Sequence, residues 1–387
     1  MIIAKNDELT PFLSTSQCMI SDIFTGERFP NVVVSTDGTV VATWGQETYA
    51  VRRSEDGGQT WGPRIDVATP GFHGGGVTVD EQNDTILVFA ETNHPPGTPQ
   101  KIMGALNVFK SADHGKSWQR MDVTIHPDAN GNVPARHMSE HGISLQYGPH
   151  AGRLVRPARV YNKPGARPAR YACALYSDDA GATWSPSAPF PEGGTGECAL
   201  TELSDGSIYF SARKSYFDTA PETFDANRRI GWSMDGGETW QNLAAEKILP
   251  DGPQYRGEQG RGSNYNGHFG MFAGLTRLPL EEHDILLYSN ADTPDHERKN
   301  GTVWGSFDGG RSWPVKRVVH KGPFAYSSLT AGRPGTPSEG WIYLQFEGGD
   351  ENCYEGGSIA RFNLSWLLEG EPTGDGEKPE PYTLGAQ

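Results

Sequence analysis

The pattern Ser-x-Asp-x-Gly-x-Ser/Thr-Trp recurs five times along the chain. The copies begin at Ser54 (SEDGGQTW), Ser111 (SADHGKSW), Ser177 (SDDAGATW), Ser233 (SMDGGETW) and Ser306 (SFDGGRSW). They are spaced by roughly 55 to 75 residues, the length of one repeated structural unit. The chemistry of the motif suits a hairpin turn. Asp and Ser cap backbone N–H groups, Gly takes a positive φ, and Trp folds back over the turn. These aspartates are therefore read as turn residues rather than as catalytic ones.

Short β-like runs flank each copy. Asn31–Ser35, Thr39–Thr43 and Thr48–Arg53 precede the first. Ile143–Tyr147, Arg153–Tyr161 and Tyr171–Tyr176 precede the third. Ala199–Leu203, Ser207–Ala212 and Arg229–Trp232 precede the fourth, and Met271–Arg277, Asp284–Ser289 and Gly301–Trp304 the fifth. After the fifth copy come Ala325–Thr330, Trp341–Gln345 and Ser358–Leu364, a further unit with no such turn of its own. Four short strands per unit predict an all-β, six-bladed β-propeller of four-stranded antiparallel blades. A strand within Ile2–Ile20 is expected to complete the last blade and remove the open edge. Residues 1–368 read as one propeller, and residues 369–387, rich in Pro, Gly and Glu, as a tail without a core of its own.

Composition narrows the function. The 387 residues carry a formal charge of −15, which disfavours nucleic acid as a partner but not an acidic ligand held by a local arginine cluster. No apolar run is long enough for a membrane span. Met1-Ile2-Ile3-Ala4-Lys5-Asn6-Asp7 has no apolar signal core, so the reading is a cytoplasmic chain, or a periplasmic or secreted one whose leader has been removed. Four cysteines (Cys18, Cys173, Cys198, Cys353) lack CxxC spacing, which reads as free buried thiols with neither a zinc site nor a disulfide framework.

In a propeller the loops at one end of the inner strands converge on a funnel. The residues just before the six inner strands are Arg28, His73, His141, Glu197, His268 and Tyr326. Those ending the second strands are near Gln46, Glu91, Arg156 or Arg159, Arg213, Asn290 and Glu347. So dense a polar set reads as a functional site. Arg28, Arg213 and Arg298 stand on separate blades, and guanidinium forks pair with carboxylate in a bidentate way. Together they suit an acidic sugar, with Glu347 as a counter-charge bracing one of them and Glu91 a further group in reach of the ligand. Tyr326 is a weak nucleophile at the ordinary phenol pKa of about 10. A neighbouring carboxylate such as Glu197 activates it by taking its proton. A neutral attacking group also avoids repulsion by a carboxylate on the anomeric carbon of a keto-sugar acid.

From about Glu27 to Gly349 the chain resembles the exo-α-sialidase (neuraminidase) family. The five turns match that family's Asp boxes. More specific are Arg28-Phe29-Pro30, His141-Gly142-Ile143 with Gly152-Arg153-Leu154, Glu197-Cys198, Arg213, Arg298-x-Asn300, Ala325-Tyr326-Ser327 and Glu347-Gly348-Gly349. The resemblance implies an arginine triad of Arg28, Arg213 and Arg298, a Tyr326 nucleophile with its Glu197 partner, and Glu347 as an arginine brace. It implies no metal or organic cofactor, and as substrate a terminal sialic or related nonulosonic acid on a glycan or oligosaccharide, removed with retention.

One part departs from the family. Its general acid/base is an aspartate on the loop after the second strand of the first blade, and Thr43-Trp44-Gly45-Gln46-Glu47-Thr48-Tyr49-Ala50-Val51-Arg52 contains none. Glu47, His73 and His141 are the candidates to replace it, with Glu91 a further one. Two alternatives stay open at the level of sequence: a lyase acting on an acidic polysaccharide, and a catalytically inactive glycan-binding propeller.

Overall fold

A computed structural model of the chain describes residues 8–72, 76–92, 106–135, 139–161, 170–214, 227–251, 270–281, 283–293 and 298–380. The chain is a six-bladed β-propeller. Blade I is Asn31–Val34, Val40–Trp44, Tyr49–Ser54 and Ile65–Ala68. Blade II is Thr78–Asp80, Thr85–Glu91, Leu106–Ser111 and Gln119–Met121. Blade III is Ile143–Ser144, Leu154–Tyr161, Arg170–Ser177 and Thr183–Pro186, with Thr124–Ile125 added in parallel at its outer edge. Blade IV is Thr195–Glu202, Ile208–Lys214, Asn227–Ser233 and Gln241–Pro250.

The last two blades share a strand. Val315–Ala331 pairs through Val315–Pro323 with Lys299–Ser306, closing blade V after Gly274–Arg277 and Leu286–Ala291. Through Phe324–Ala331 it pairs with Ile342–Gly348 and so becomes the inner strand of blade VI. Gly356–Phe362 comes next, and the outermost strand is Cys18–Thr25, antiparallel in register from Cys18 opposite Phe362 to Thr25 opposite Gly356. The closing strand thus starts inside the expected Ile2–Ile20 window but runs past it. The sequence also gives too long an inner strand to blade III. It stops at Ser144, before a 3-10 turn at Gly148–His150.

The apolar residues are buried between blades rather than within them. Val33, Val41 and Val51 of blade I meet Val79, Ile86 and Val88 of blade II. Leu200, Ile208 and Phe210 of blade IV meet Val155, Ala172 and Ala174 of blade III. Both faces of the second strands are covered, so Val40–Trp44, Thr85–Glu91 and Ile342–Gly348 are buried at every position instead of alternating. The outer strand Gln241–Pro250 is mostly exposed.

Asn363 caps a short helix, Leu364–Leu368, by accepting from the Trp366 N–H at 3.0 Å. The helix ends the expected Ser358–Leu364 strand at Phe362 and drops Leu364, Leu367 and Leu368 into the core between blades V and VI. Beyond it Glu371–Pro372 pairs with Val315 and Lys316, so part of the stretch read as a tail is tied to blade V. Of the four free cysteines, Cys173 and Cys198 are buried as expected, whereas Cys18 and Cys353 are half-buried. Among the described residues no helix is long and apolar enough to cross a membrane.

Candidate active site

The ends of the inner strands near the axis carry unusual backbone. Glu27, Phe29 and Glu197 have φ of 52°, 77° and 41°, left-handed values that non-glycine residues adopt only when their surroundings hold them there. Glu197 sits at a bulge, where the pairing of Thr195–Glu202 with Ile208–Lys214 slips between Gly196 and Ala199. The bulge turns the Glu197 side chain inward. Arg228, fully buried, pins the carbonyl of Glu197 with Nη2 at 3.3 Å, and donates also to Ser211 and to the Asp251 carboxylate at 2.8 Å.

Glu197 and Tyr326 meet across the axis. The Tyr326 hydroxyl donates to Glu197 Oε1 at 3.0 Å and accepts from Arg213 Nη1 at 3.2 Å. Arg213 Nη1 also donates to Glu197 Oε2, and Arg159 Nη1 to Glu197 Oε1 at 3.4 Å. Tyr326 is 3% exposed, Glu197 1% and Arg213 0%. Burial and the Glu197 charge push the phenol pKa up, while Arg213, Arg298 and Arg28 pull it down; the balance is upward, so the hydroxyl is neutral at pH 7.

Arg28 lies on the other side of Tyr326. It makes a two-pronged pair with Glu347, Nε to Oε1 at 3.0 Å and Nη2 to Oε2 at 2.9 Å. Glu347 is completely buried and also accepts from the backbone N–H groups of Phe29 (3.0 Å) and Tyr326 (3.2 Å). One carboxylate thus fixes Arg28, the strained turn after it and the strand bearing Tyr326. The Arg28 and Arg298 guanidinium carbons each lie 5.1 Å from the Tyr326 ring centroid. Arg298 donates to the Tyr354 hydroxyl at 2.9 Å, and Arg28 stacks on the Tyr354 ring at 4.2 Å. Arg28 and Arg213 both repel Arg298. Three cations converging on one phenol make a pocket that gains from an anion.

The remaining expected residues lie elsewhere. Glu91 is buried at the end of its strand and pairs backbone to backbone with Phe72, which packs edge-on against Phe29 with centroids 4.9 Å apart. Through Phe72 it supports the wall beside Phe29. Glu47 stands on a turn whose N–H groups at Gln46, Glu47 and Thr48 all donate to Glu27 Oε2. Its own carboxylate is exposed and forms no hydrogen bond or ion pair among the described residues. His141 is not in the arginine ring. Its two ring nitrogens lie 3.2 Å from the Gly142 carbonyl and 2.9 Å from that of Leu329, three residues past Tyr326 and about 10 Å farther along the strand. Burial lowers its pKa. His73 and His268 lie outside the described residues.

Several site residues had no role in the sequence reading. Arg159 was only a strand end, and Arg228 and Tyr354 carry no motif. Glu140, beside His141, is completely buried on the axis. It accepts from Ser328 Oγ and Leu329 N at 2.9 Å and from Asn31 Nδ2 at 3.1 Å, and burial pushes its pKa well up. A charge so placed would signal itself in sequence only through a three-dimensional contact. Among the described residues no group of three His, Cys, Asp or Glu side chains could hold a metal ion.

The model of the BNR repeat-like domain matches residues 45–337. A sialidase of Micromonospora viridifaciens is 32% identical over 89% of this chain, which spans about half of that protein (52%). Among solved structures, the Hadza microbial sialidase Hz136 superposes with a TM-score of 0.63 at 22% identity, covering 88% of this chain and 66% of the other. The intramolecular trans-sialidase of Ruminococcus gnavus gives 0.63 at 16%, over 90% and 96%. At these identities the structural likeness bears on the fold alone. With its five Asp turns, its six four-stranded blades and a family match over most of its length, the chain belongs to the BNR repeat-like domain family.

Proposed function

We propose that this propeller, residues 1–368 with a C-terminal segment 369–387 partly tied to blade V, is an exo-sialidase-like hydrolase that removes a terminal sialic or related nonulosonic acid from a glycan with retention of configuration. The observation that carries this reading is the Tyr326 hydroxyl, 3.0 Å from Glu197 Oε1 and ringed by Arg28, Arg213 and Arg298. The sugar carboxylate pairs with the three guanidinium groups, which places the anomeric carbon over Tyr326. Glu197 accepts the phenol proton as the oxygen attacks, so the nucleophile is neutral until the reaction begins. The Tyr–anomeric carbon bond forms as the bond to the aglycone oxygen breaks, and water then cleaves the glycosyl-tyrosine, with the proton returned from Glu197 to Tyr326. Glu47 and His73 remain the candidates to protonate the leaving group. Glu47 is on a turn that reaches Arg28, since Gly45 N donates to the Arg28 carbonyl at 2.9 Å.

The test is release of 4-methylumbelliferone from its α-glycoside of N-acetylneuraminic acid, beside the deaminated analogue. This leaving group needs little acid assistance, so the assay reports on Tyr326, Glu197 and the arginines. The α-anomer is expected as first product by proton NMR. Tyr326→Phe should lower kcat by at least about a thousandfold, equivalent to ~4 kcal/mol, with an unchanged melting temperature. Wild-type turnover by that variant, or the β-anomer as first product, would overturn the mechanism. No release from either glycoside by folded protein would overturn the hydrolase reading.

A further inference from the structure

A cavity of about 300 Å³ lies on the axis at the opposite end of the inner strands from Tyr326. Every blade contributes the far end of its inner strand: Val34, Val79, Ser144, Thr201, Thr276 and Thr330. Thr330 is four residues past Tyr326, or about 13 Å along an extended strand. The Glu140 layer and His141 lie between the two ends, with His141 in the cavity lining.

Most charged groups of this cavity are already paired or shielded, with Glu281, exposed at its edge, the exception among the described residues. Arg333 pairs with Glu81 at 3.0 Å, and Arg277 with Asp284 at 2.7 Å. Glu202 accepts from the backbone N–H groups of Gln146 (2.6 Å) and Tyr147 (3.1 Å). Burial raises the pKa of Glu202 and lowers that of His141, moving both toward their neutral forms. Among the uncharged groups, three hydroxyls remain open. Ser144 Oγ is buried with no hydrogen-bond partner, and the Thr201 and Thr330 hydroxyls have none among the described residues. These three residues are 6%, 5% and 7% exposed. A buried hydroxyl left unpaired costs about 1–3 kcal/mol, which applies to Ser144, while the Thr201 and Thr330 hydroxyls open onto the same space and can bond to an occupant. Val33, Val34 and Val79 line the other wall with apolar surface. The volume is at the lower end of the range for small-molecule pockets, about 300 to 1,000 Å³.

We propose that this axial cavity binds one neutral, hexose-sized polyol, with its hydroxyls on Ser144, Thr201 and Thr330 and its apolar face against the valines. Such a site is chemically unlike the arginine-ringed end and does not depend on the hydrolase reading. The probe is methyl β-D-glucopyranoside, titrated to tens of millimolar against the full chain by saturation-transfer NMR. Saturable transfer is expected, undiminished in Tyr326→Phe and at least tenfold weaker in Ser144→Ala combined with Thr201→Val. Should the double variant not fold, amide shifts of the wild-type protein decide the matter, with the largest changes expected at Gly142, Ser144 and Gly332. Three results would each overturn the proposal: no transfer, which leaves a cavity that holds only water; transfer lost in Tyr326→Phe; or amide shifts centred on Glu197 and Tyr326.

Discussion

Each side chain of the Tyr326 cluster serves more than one partner. Glu347 is the clearest case, since its two oxygens accept two guanidinium N–H groups and two backbone N–H groups. Glu347→Gln keeps the shape and removes the charge. It should cost about 2–3 kcal/mol of stability, under the ~3–5 kcal/mol typical of a broken buried pair, because the Arg28 side chain keeps 24% of its surface in water. The same change frees Arg28 to turn away from the sugar carboxylate, so KM should rise more than kcat falls; a kcat loss with unchanged KM would remove Arg28 from binding. Glu347, Arg28 and Glu197 were legible in the sequence because each directly adjoins a strand end whose period could be counted. Arg228 and Glu140 were not, because their partners lie 17 to 189 residues away and only closure of the ring brings them together. His141 misled for the same reason. It was assigned to the correct blade, but its ring lies against the Gly142 and Leu329 carbonyls, about 10 Å along the strand from Tyr326.

The Asp turns show how one local rule, repeated, organises the larger structure. In the first, Asp56 Oδ1 accepts from the N–H groups of Gln59 and Thr60 at 3.0 and 2.9 Å, and Ser54 Oγ accepts from Gly58 N at 2.8 Å. The other four copies repeat this geometry about Asp113, Asp179, Asp235 and Asp308. At Asp56 and Asp113 burial alone would raise the carboxyl pKa, but the converging donors outweigh it and bring both down to about 2. Their folded-state pKa lies below the unfolded value of 3.8, so the stability they add is fully present above pH 4 and is lost as pH falls toward 2. Thermal melts between pH 5 and pH 2 should therefore show a steep fall in melting temperature below pH 4, and Asp56→Asn should flatten that fall. An equal slope in the variant would exclude the turn as its origin. The turns and most strand positions were readable because they rest on neighbours within a few residues. The continuous run from Val315 to Ala331 was not. Gly322-Pro323 stands between its halves and reads as a break, yet the extended segment runs on through it, and the switch from blade V to blade VI is made by changing partners there.

At the scale of the whole molecule, the ring stays closed through the pairing of its first described strand, Cys18–Thr25, with Gly356–Phe362. Cys18–Thr25 is the only outer strand of blade VI, and the chain runs from it straight to Arg28. Gly26 N donates to the Glu355 carbonyl at 3.0 Å, and Trp44 Nε1 donates to the Gly26 carbonyl at 2.8 Å, so closure and the placement of Arg28 are one structural event. Removing residues 1–25 would bare the edge of Gly356–Phe362 and leave Ile23 and Phe24 missing from the core between blades VI and I. The melting temperature of the truncated chain should drop by about 10 °C or more, with self-association through the open edge seen in sedimentation. Hydrolysis of the acidic glycoside should lose affinity before it loses turnover, because Arg28 is released while Tyr326, Glu197 and Arg213 stay on strands that remain paired. A peptide of residues 8–25 added in trans should rebuild the edge by strand addition, raising the melting temperature and lowering KM together. Recovery of one without the other would separate closure from the site, and a truncated chain that melts like the intact one would show that five and three-quarter blades hold their circle without the last strand.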